Sequence, residues 1–166
     1  MNDPVRVVDN MEVTVLVLLD LSSAFDTVDH ATLLNVLHRR FGVQESAMNW
    51  FTSYLSDRTQ TFRLNGEMSS LIPLTCSVPQ GSVLGPILFI SYTDDVPSVF
   101  QRHQVNYHLY ADDKQAYVSV PVSDVSRART ALQHCISDIS SWCSSRRLQL
   151  NEAHLVWLMP NVAETQ

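Results

Sequence analysis

Apolar and β-branched residues run almost unbroken from Val13 to Leu19, in "VTVLVLL", and stop at Asp20. That pattern predicts a strand covered on both faces or lying central in a sheet, with Asp20 aimed from its C-terminal end. After a short turn, Leu33, Leu34, Leu37 and Phe41 recur at helical spacing; Asp29 is placed to cap that helix and Gly42 to end it. A second helix follows, with Ala47, Met48, Phe51 and Leu55 expected to face inward. "TQTFRLNGEMSS" reads as a hairpin turning at Asn65-Gly66. "SVPQGSVLGPILF" reads as a loop that leads into an apolar helix from about Val83 to Tyr92. "VNYHLYADDKQAYVSV" reads as another hairpin, with Asp112 and Asp113 near its tip. From a cap at Ser123, apolar residues from Val125 through Ala128, Leu132, Cys135 and Ile139 to Cys143 keep helical spacing throughout. "LQLN" and "LVWLMP" predict two short closing strands. Hairpins imply antiparallel pairing, so the expected fold class is α+β, an antiparallel sheet with helices packed on one face.

Composition narrows this picture without changing it. At 166 residues the chain is expected to form a single domain over residues 1–166, and 45% hydrophobic content suffices for a core. Charged residues make up 17%, which excludes long disordered charged tails. The net charge of -6 argues against a large nucleic-acid footprint, which is ordinarily basic. Cys76, Cys135 and Cys143 form no C-x-x-C and cannot all pair, so a disulfide scaffold is not expected. His134 and Cys135 are helix neighbours that point apart, which does not make a zinc pair. No signal peptide is visible at the N-terminus, and "VTVLVLL" is too short to span a bilayer. The expectation is an intracellular protein with no membrane partner, nucleus or cytoplasm left open.

The chemistry to explain is in "HLYADDKQAYVSV", where two aspartates stand side by side in a strand-like stretch and repel one another. If Val13–Leu19 lies beside this hairpin, Asp20 converges on Asp112 and Asp113. Three hard oxygen donors with no histidine or thiol favour magnesium over zinc or iron. Such a set suits in-line phosphoryl displacement with two metal ions. Spacing alone leaves equally open a pair of turn aspartates with Asp20 as a separate cap. A second pair, "YTDD" from Tyr92 to Asp95, follows a helical segment and precedes Val96-Pro97, and is expected to be a solvated helix exit.

The context of the first pair is more specific. "LLDLSSAFDTVDH", "WFTSYLSDRTQTFRLNG", "VPQGSVLGPILF", "LYADD" and "CSSRRLQLN" stand in the order seen in reverse transcriptases of non-LTR (LINE-type) retrotransposons. This resemblance covers nearly all of residues 9 to 158. It implies the palm of a right-hand polymerase with partial fingers and the thumb absent. The implied activity is RNA-directed DNA polymerisation, adding deoxynucleotides to a primer 3′-hydroxyl with release of pyrophosphate. The implied cofactors are two magnesium ions, with manganese as a substitute. The implied partners are an RNA or DNA template with a DNA primer and deoxynucleoside triphosphates. By the same resemblance, Asp20, Asp112 and Asp113 are catalytic and hold the metal ions, and the Leu21 backbone carbonyl helps. Phe25 matches a gate that crowds a ribose 2′-hydroxyl, while Gln80 and Gly81 match the loop lying against incoming nucleotide and template.

Departures from the family pattern lie close to the same residues. Lys114, the chain's one lysine, stands where threonine usually follows the aspartate pair. Ser77 replaces a common glycine. "LNEAHLVWL" is short by a Lys-Thr step, and His154 is the nearest polar substitute. The upstream basic fingers segments, the thumb and an endonuclease domain are expected to be missing, as in a truncated copy of a longer element. The alternative to an enzyme is an inactive retrotransposon remnant or a host-adopted nucleic-acid- or protein-binding module.

Overall fold

The computed structural model of the chain describes residues 12–79, 81–151 and 154–158. In chain order, β1 is Glu12–Leu19 and β2 Leu21–Ser22, followed by α1 His30–Phe41 and α2 Glu45–Leu55. Four short strands come next: β3 Thr59–Gln60, β4 Arg63–Leu64, β5 Glu67–Met68 and β6 Ile72–Pro73. The chain continues through α3 Gly85–Tyr92, α4 Pro97–Arg102, β7 Asn106–Tyr110 and β8 Asp113–Pro121. It closes with α5 Val125–Ser145, β9 Gln149–Leu150 and β10 His154–Leu158. These elements form two compact units. The first takes the described residues of Met1–Ser22, Asp95–Ser145 and Gln149–Gln166; the second is Ser23–Asp94 with Arg146–Leu148.

The first unit is built on a four-stranded antiparallel sheet in the order β10-β1-β8-β7. The apolar run of β1 is therefore central, paired on both sides. Val13, Val15, Val17 and Leu19 are buried at 0–4% exposure. α5 covers that face, burying Ala128, Leu132, Cys135, Ile139 and Cys143, the stripe its spacing dictates. The other face of β1 is less covered than the unbroken apolar run suggests. Thr14 is buried, Leu16 half-buried and Leu18 exposed. A 3-10 turn, Val122–Asp124, leads into α5, so Ser123 sits inside that turn and the helix begins at Val125.

The second unit packs α1 against α2 and α3. Asp29 caps α1, its carboxylate accepting from the Thr32 amide at 2.8 Å and the Thr32 hydroxyl at 2.7 Å. Gly42 ends the helix at φ 68°, a left-handed conformation that glycine adopts without a Cβ penalty. The inward face expected of α2 is reduced to Leu55; Ala47 is exposed and Met48 and Phe51 only half-buried. Asn65 and Gly66 both have positive φ, 51° and 91°, and join β4 to β5 as a tight hairpin turn. That hairpin continues into the β3–β6 pair, forming an arm on which Phe62, Leu64, Met68, Leu71 and Ile72 are all exposed.

Asp29 is a stability node of this unit. It is 7% exposed, and its carboxylate also accepts from Arg147 Nη1 at 2.6 Å. Burial alone would raise its pKa. The two Thr32 hydrogen bonds and the charges of Arg147 and His30 outweigh burial and hold it below the ordinary carboxylate value. Most of the gain belongs to the cap, because the Arg147 side chain is 71% exposed and screened by water. Asp29→Ala is expected to cost about 1–3 kcal/mol in urea unfolding. A depressed folded pKa means this contribution is complete above the unfolded value of roughly 3.9 and fades as pH falls through the lower folded value. Wild type should therefore lose stability on acidification below about pH 4 more steeply than Asp29→Asn, which unfolding curves at several pH values will read.

Candidate active site

One end of the first unit's sheet gathers the aspartates. Antiparallel pairing sets Leu19 opposite Lys114 on β8, and Tyr110 of β7 opposite Asp113. Asp20 is the next residue beyond Leu19, so it leaves β1 beside the β7–β8 turn. That turn consists of Ala111 and Asp112, with Ala111 at φ 52°. A left-handed alanine is a strained choice that surrounding structure must impose, and such strain gathers at functional positions. Asp20 and Asp113 are exposed and Asp112 is half-buried.

Asp20 is also oriented from β9. The Asn151 backbone N–H donates to the Asp20 carbonyl at 2.9 Å, and Asn151 Nδ2 donates to Asp20 Oδ2 at 2.7 Å. The Ser22 hydroxyl donates to Asn151 Oδ1, so the amide is held at both ends. Leu21, between these contacts, is buried at 4% and pairs with Leu150 in the β2–β9 ladder. Asn151 was not singled out by sequence reasoning. The signal was present in "LQLN", whose asparagine ends a strand that returns to the residues next to Asp20.

Lys114 lies beside the aspartate pair, and it is buried. Paired with Leu19, and two residues from Ala116 opposite Val17, it lies on the buried face, at 2% exposure. Its ammonium turns back to the hairpin, donating to the Asp112 carbonyl at 3.1 Å. Burial pushes its pKa below that of an ordinary lysine, opposed by Cys143, Asp112, Asp113 and Asp20. Burial also drives the neighbouring Cys143 thiol up to about 11, the Lys114 charge pulling the other way, so the thiol is neutral at pH 7.

The donor chemistry here fits a hard divalent cation, since Asp20, Asp112 and Asp113 offer carboxylate oxygens. The side chains are not, however, drawn into a ligand set. Among the described residues, no three His, Cys, Asp or Glu side chains form a group that could hold a metal.

The remaining expected positions lie in the second unit or outside the description. Phe25 stacks on Phe89 with centroids 4.8 Å apart. With Pro79, Gly81, Ser82, Gly85 and Pro86 it lines an open cavity of about 320 Å³. Phe25 is half-exposed, so it is not a simple core aromatic. Gly81 has φ 74°, a turn that a side chain would strain. Gln80 lies outside the described residues. The side chain of His154 is likewise undescribed, and its backbone pairs with Leu18.

Asp94 and Asp95 follow α3 as expected but are only partly solvated. Both are half-buried; Asp94 pairs with Arg40 at 2.8 Å, and Asp95 accepts from Trp142 Nε1 at 3.1 Å. Adjacent acidic residues at a helix exit were readable, their partners were not. Among the described residues no helix is long and apolar enough to cross a membrane.

Comparison with known proteins gives this geometry a setting. A family model described as reverse transcriptase (RNA-dependent DNA polymerase) matches residues 5–162. The chain is 30% identical over 155 residues to the RNA-directed DNA polymerase from mobile element jockey of Drosophila melanogaster, a match covering 90% of this chain. It is 28% identical over 152 residues to the probable RNA-directed DNA polymerase from transposon BS of the same organism, covering 86% of this chain. In each case it spans 16% of the relative's length. It is also 38% identical over 82 residues to a Pol polyprotein from type-1 retrotransposable element R2 of Popillia japonica, covering 49% of this chain and 11% of that protein. Apo telomerase from Candida tropicalis, truncated from its C-terminal domain, shares the fold with a TM-score of 0.67 at 14% identity. That likeness covers 98% of this chain and 37% of that one.

Asn151 offers a direct check on how Asp20 is held. Asn151→Ala removes the amide bonds to Asp20 and Ser22 and is expected to cost about 1–2 kcal/mol in urea unfolding at pH 7. Asn151→Asp should cost more at pH 7, because it sets a second carboxylate against Asp20, and should recover part of that loss below about pH 4.

Proposed function

Since the chain belongs to the reverse transcriptase family, of the kind carried by LINE-type non-LTR retrotransposons, we propose that it is the carboxylate-bearing palm of an RNA-directed DNA polymerase. The observation that carries this reading is the pairing of β1, β8 and β7, which sends Asp20 off a strand end beside the turn holding Asp112 and beside Asp113. In this reading Asp20, Asp112 and Asp113, helped by the Leu21 carbonyl, hold two magnesium ions. Bound there, such ions would activate the primer 3′-hydroxyl and offset charge on the departing pyrophosphate.

The chain's own residues supply the positioning. Asn151 fixes which Asp20 oxygen is engaged by the protein. Phe25 and Gly81 line one cavity, which supports their reading as a wall and a close-approach turn for nucleotide and template. Phe25, bulky and backed by Phe89, suits rejection of a ribose 2′-hydroxyl by crowding. Gln80 is assigned to the same loop. The substrates follow as deoxynucleoside triphosphates, on a template with a DNA primer. Neither the family match nor the named relatives favour an inactive remnant or a binding module.

Phosphoryl transfer depends on positioning and on electrostatic stabilisation, so a chain spanning 16% of its relatives' length is expected to grip a duplex poorly by itself. The test is therefore made in a chimera, with residues 5–162 replacing the matched segment of the jockey polymerase. RNA-templated primer extension by the chimera should fall roughly 1,000-fold or more with Asp112→Ala. Extension that survives Asp112→Ala and Asp20→Ala would defeat the assignment. In the same chimera, Phe25→Val should raise ribonucleotide use relative to deoxynucleotide use by about 10- to 100-fold, read from competing single-nucleotide additions.

A further inference from the structure

A lysine at the rim of a carboxylate site would ordinarily be a solvated side chain. Lys114 is instead placed by the sheet register on the face that α5 covers, opposite Leu19, at 2% exposure. At the start of β8 exposed and buried positions alternate, Asp113 and Gln115 open and Lys114 and Ala116 buried, so the stem of Lys114 is committed to the core side. The ammonium resolves the conflict by folding back toward the turn and donating to the Asp112 carbonyl. From α5 the Cys143 thiol acts on it, and that thiol is neutral at pH 7. The negative charges of Asp112, Asp113 and Asp20 also act on it.

Resting on the reading of those aspartates as metal ligands, we propose that Lys114 is a built-in counter-cation that lowers the affinity of this site for divalent metal. Three carboxylates present a charge of three; a buried ammonium at the same sheet end leaves an arriving cation a net charge of two to bind. Because the ammonium is shielded from solvent, added salt screens it weakly. Its effect is exerted by charge from the covered side of the sheet, leaving the open face clear. It also ties down the strained Ala111-Asp112 turn, so the hairpin keeps its shape without metal.

The experiment uses the 166-residue chain with manganese and magnesium as probes. Calorimetric titration compares wild type, Lys114→Met and Lys114→Gln, each with and without Asp112→Asn. Methionine fills the buried position without charge, and glutamine keeps a polar head. Both are expected to bind manganese about tenfold more tightly than wild type, with Asp112→Asn removing the gain. A second measurement leaves Lys114 itself in place. With one lysine in the chain, lysine-selective labelling yields a single side-chain signal, and magnesium should shift it in wild type but not in Asp112→Asn. Unchanged affinity in both Lys114 variants, or a lysine signal indifferent to a metal that Asp112→Asn prevents from binding, would overturn the proposal and leave the ligand assignment standing. Absence of binding in every variant would overturn both.

Discussion

Everything at the carboxylate end depends on the pairing of β1 with β8. β1 is bonded on both edges, and its partner residues share faces, so the register that buries Val13, Val15, Val17 and Leu19 also fixes where Lys114 and Asp113 point. A slip of one residue would turn the apolar row outward and expose it to water. The hydrophobic cost of that slip, several large side chains at about 25 cal/mol per Å² of buried apolar surface, is what holds the aspartates in place. No hydrogen bond at the tip approaches that weight. The site is positioned by the core behind it.

The second unit solves a different problem, closing loops instead of pairing long strands. Residues 75–78 lie along residues 25–30 through backbone bonds from His30 to Thr75, Ser77 to Val28 and Val78 to Phe25. His30 Nε2 adds a contact to the Ser77 carbonyl at 2.8 Å. Those bonds bring the "VPQG" loop against the segment carrying Phe25, so that two motifs far apart in the chain share one cavity. Ser77 itself takes φ 90°, a conformation in which serine is strained and glycine would not be.

Much of this was legible because local signals agreed with the fold. Asn65-Gly66 specified its turn through two residues that tolerate positive φ, and Asp29 and Gly42 bounded α1 through capping chemistry. α5 could be read from its stripe alone. What could not be read depended on non-local partners. The run in β1 read as covered on both faces or central in a sheet; it is central, yet Leu18 is open, because an apolar sequence records the need for cover and not its source. α2 shows the same gap. Asn151 acquires its hold on Asp20 only when β9 pairs with β2. That Lys114, next to two aspartates, lies buried becomes visible only when the register assigns it to the covered side.

The arm of β3 to β6 has a consequence for how the chain behaves among its own copies. It displays Phe62, Leu64, Met68, Leu71 and Ile72 to water on short strands with unpaired edges, a surface that attracts another like it. The opposing influence is the net charge of -6, which keeps molecules apart at a distance set by ionic strength. At 0.1 M salt that reach is only about 10 Å, and at 1 M about 3 Å. Dispersal of this chain is thus a matter of dilution and low salt, and salting its solutions removes the repulsion while leaving the adhesive arm untouched.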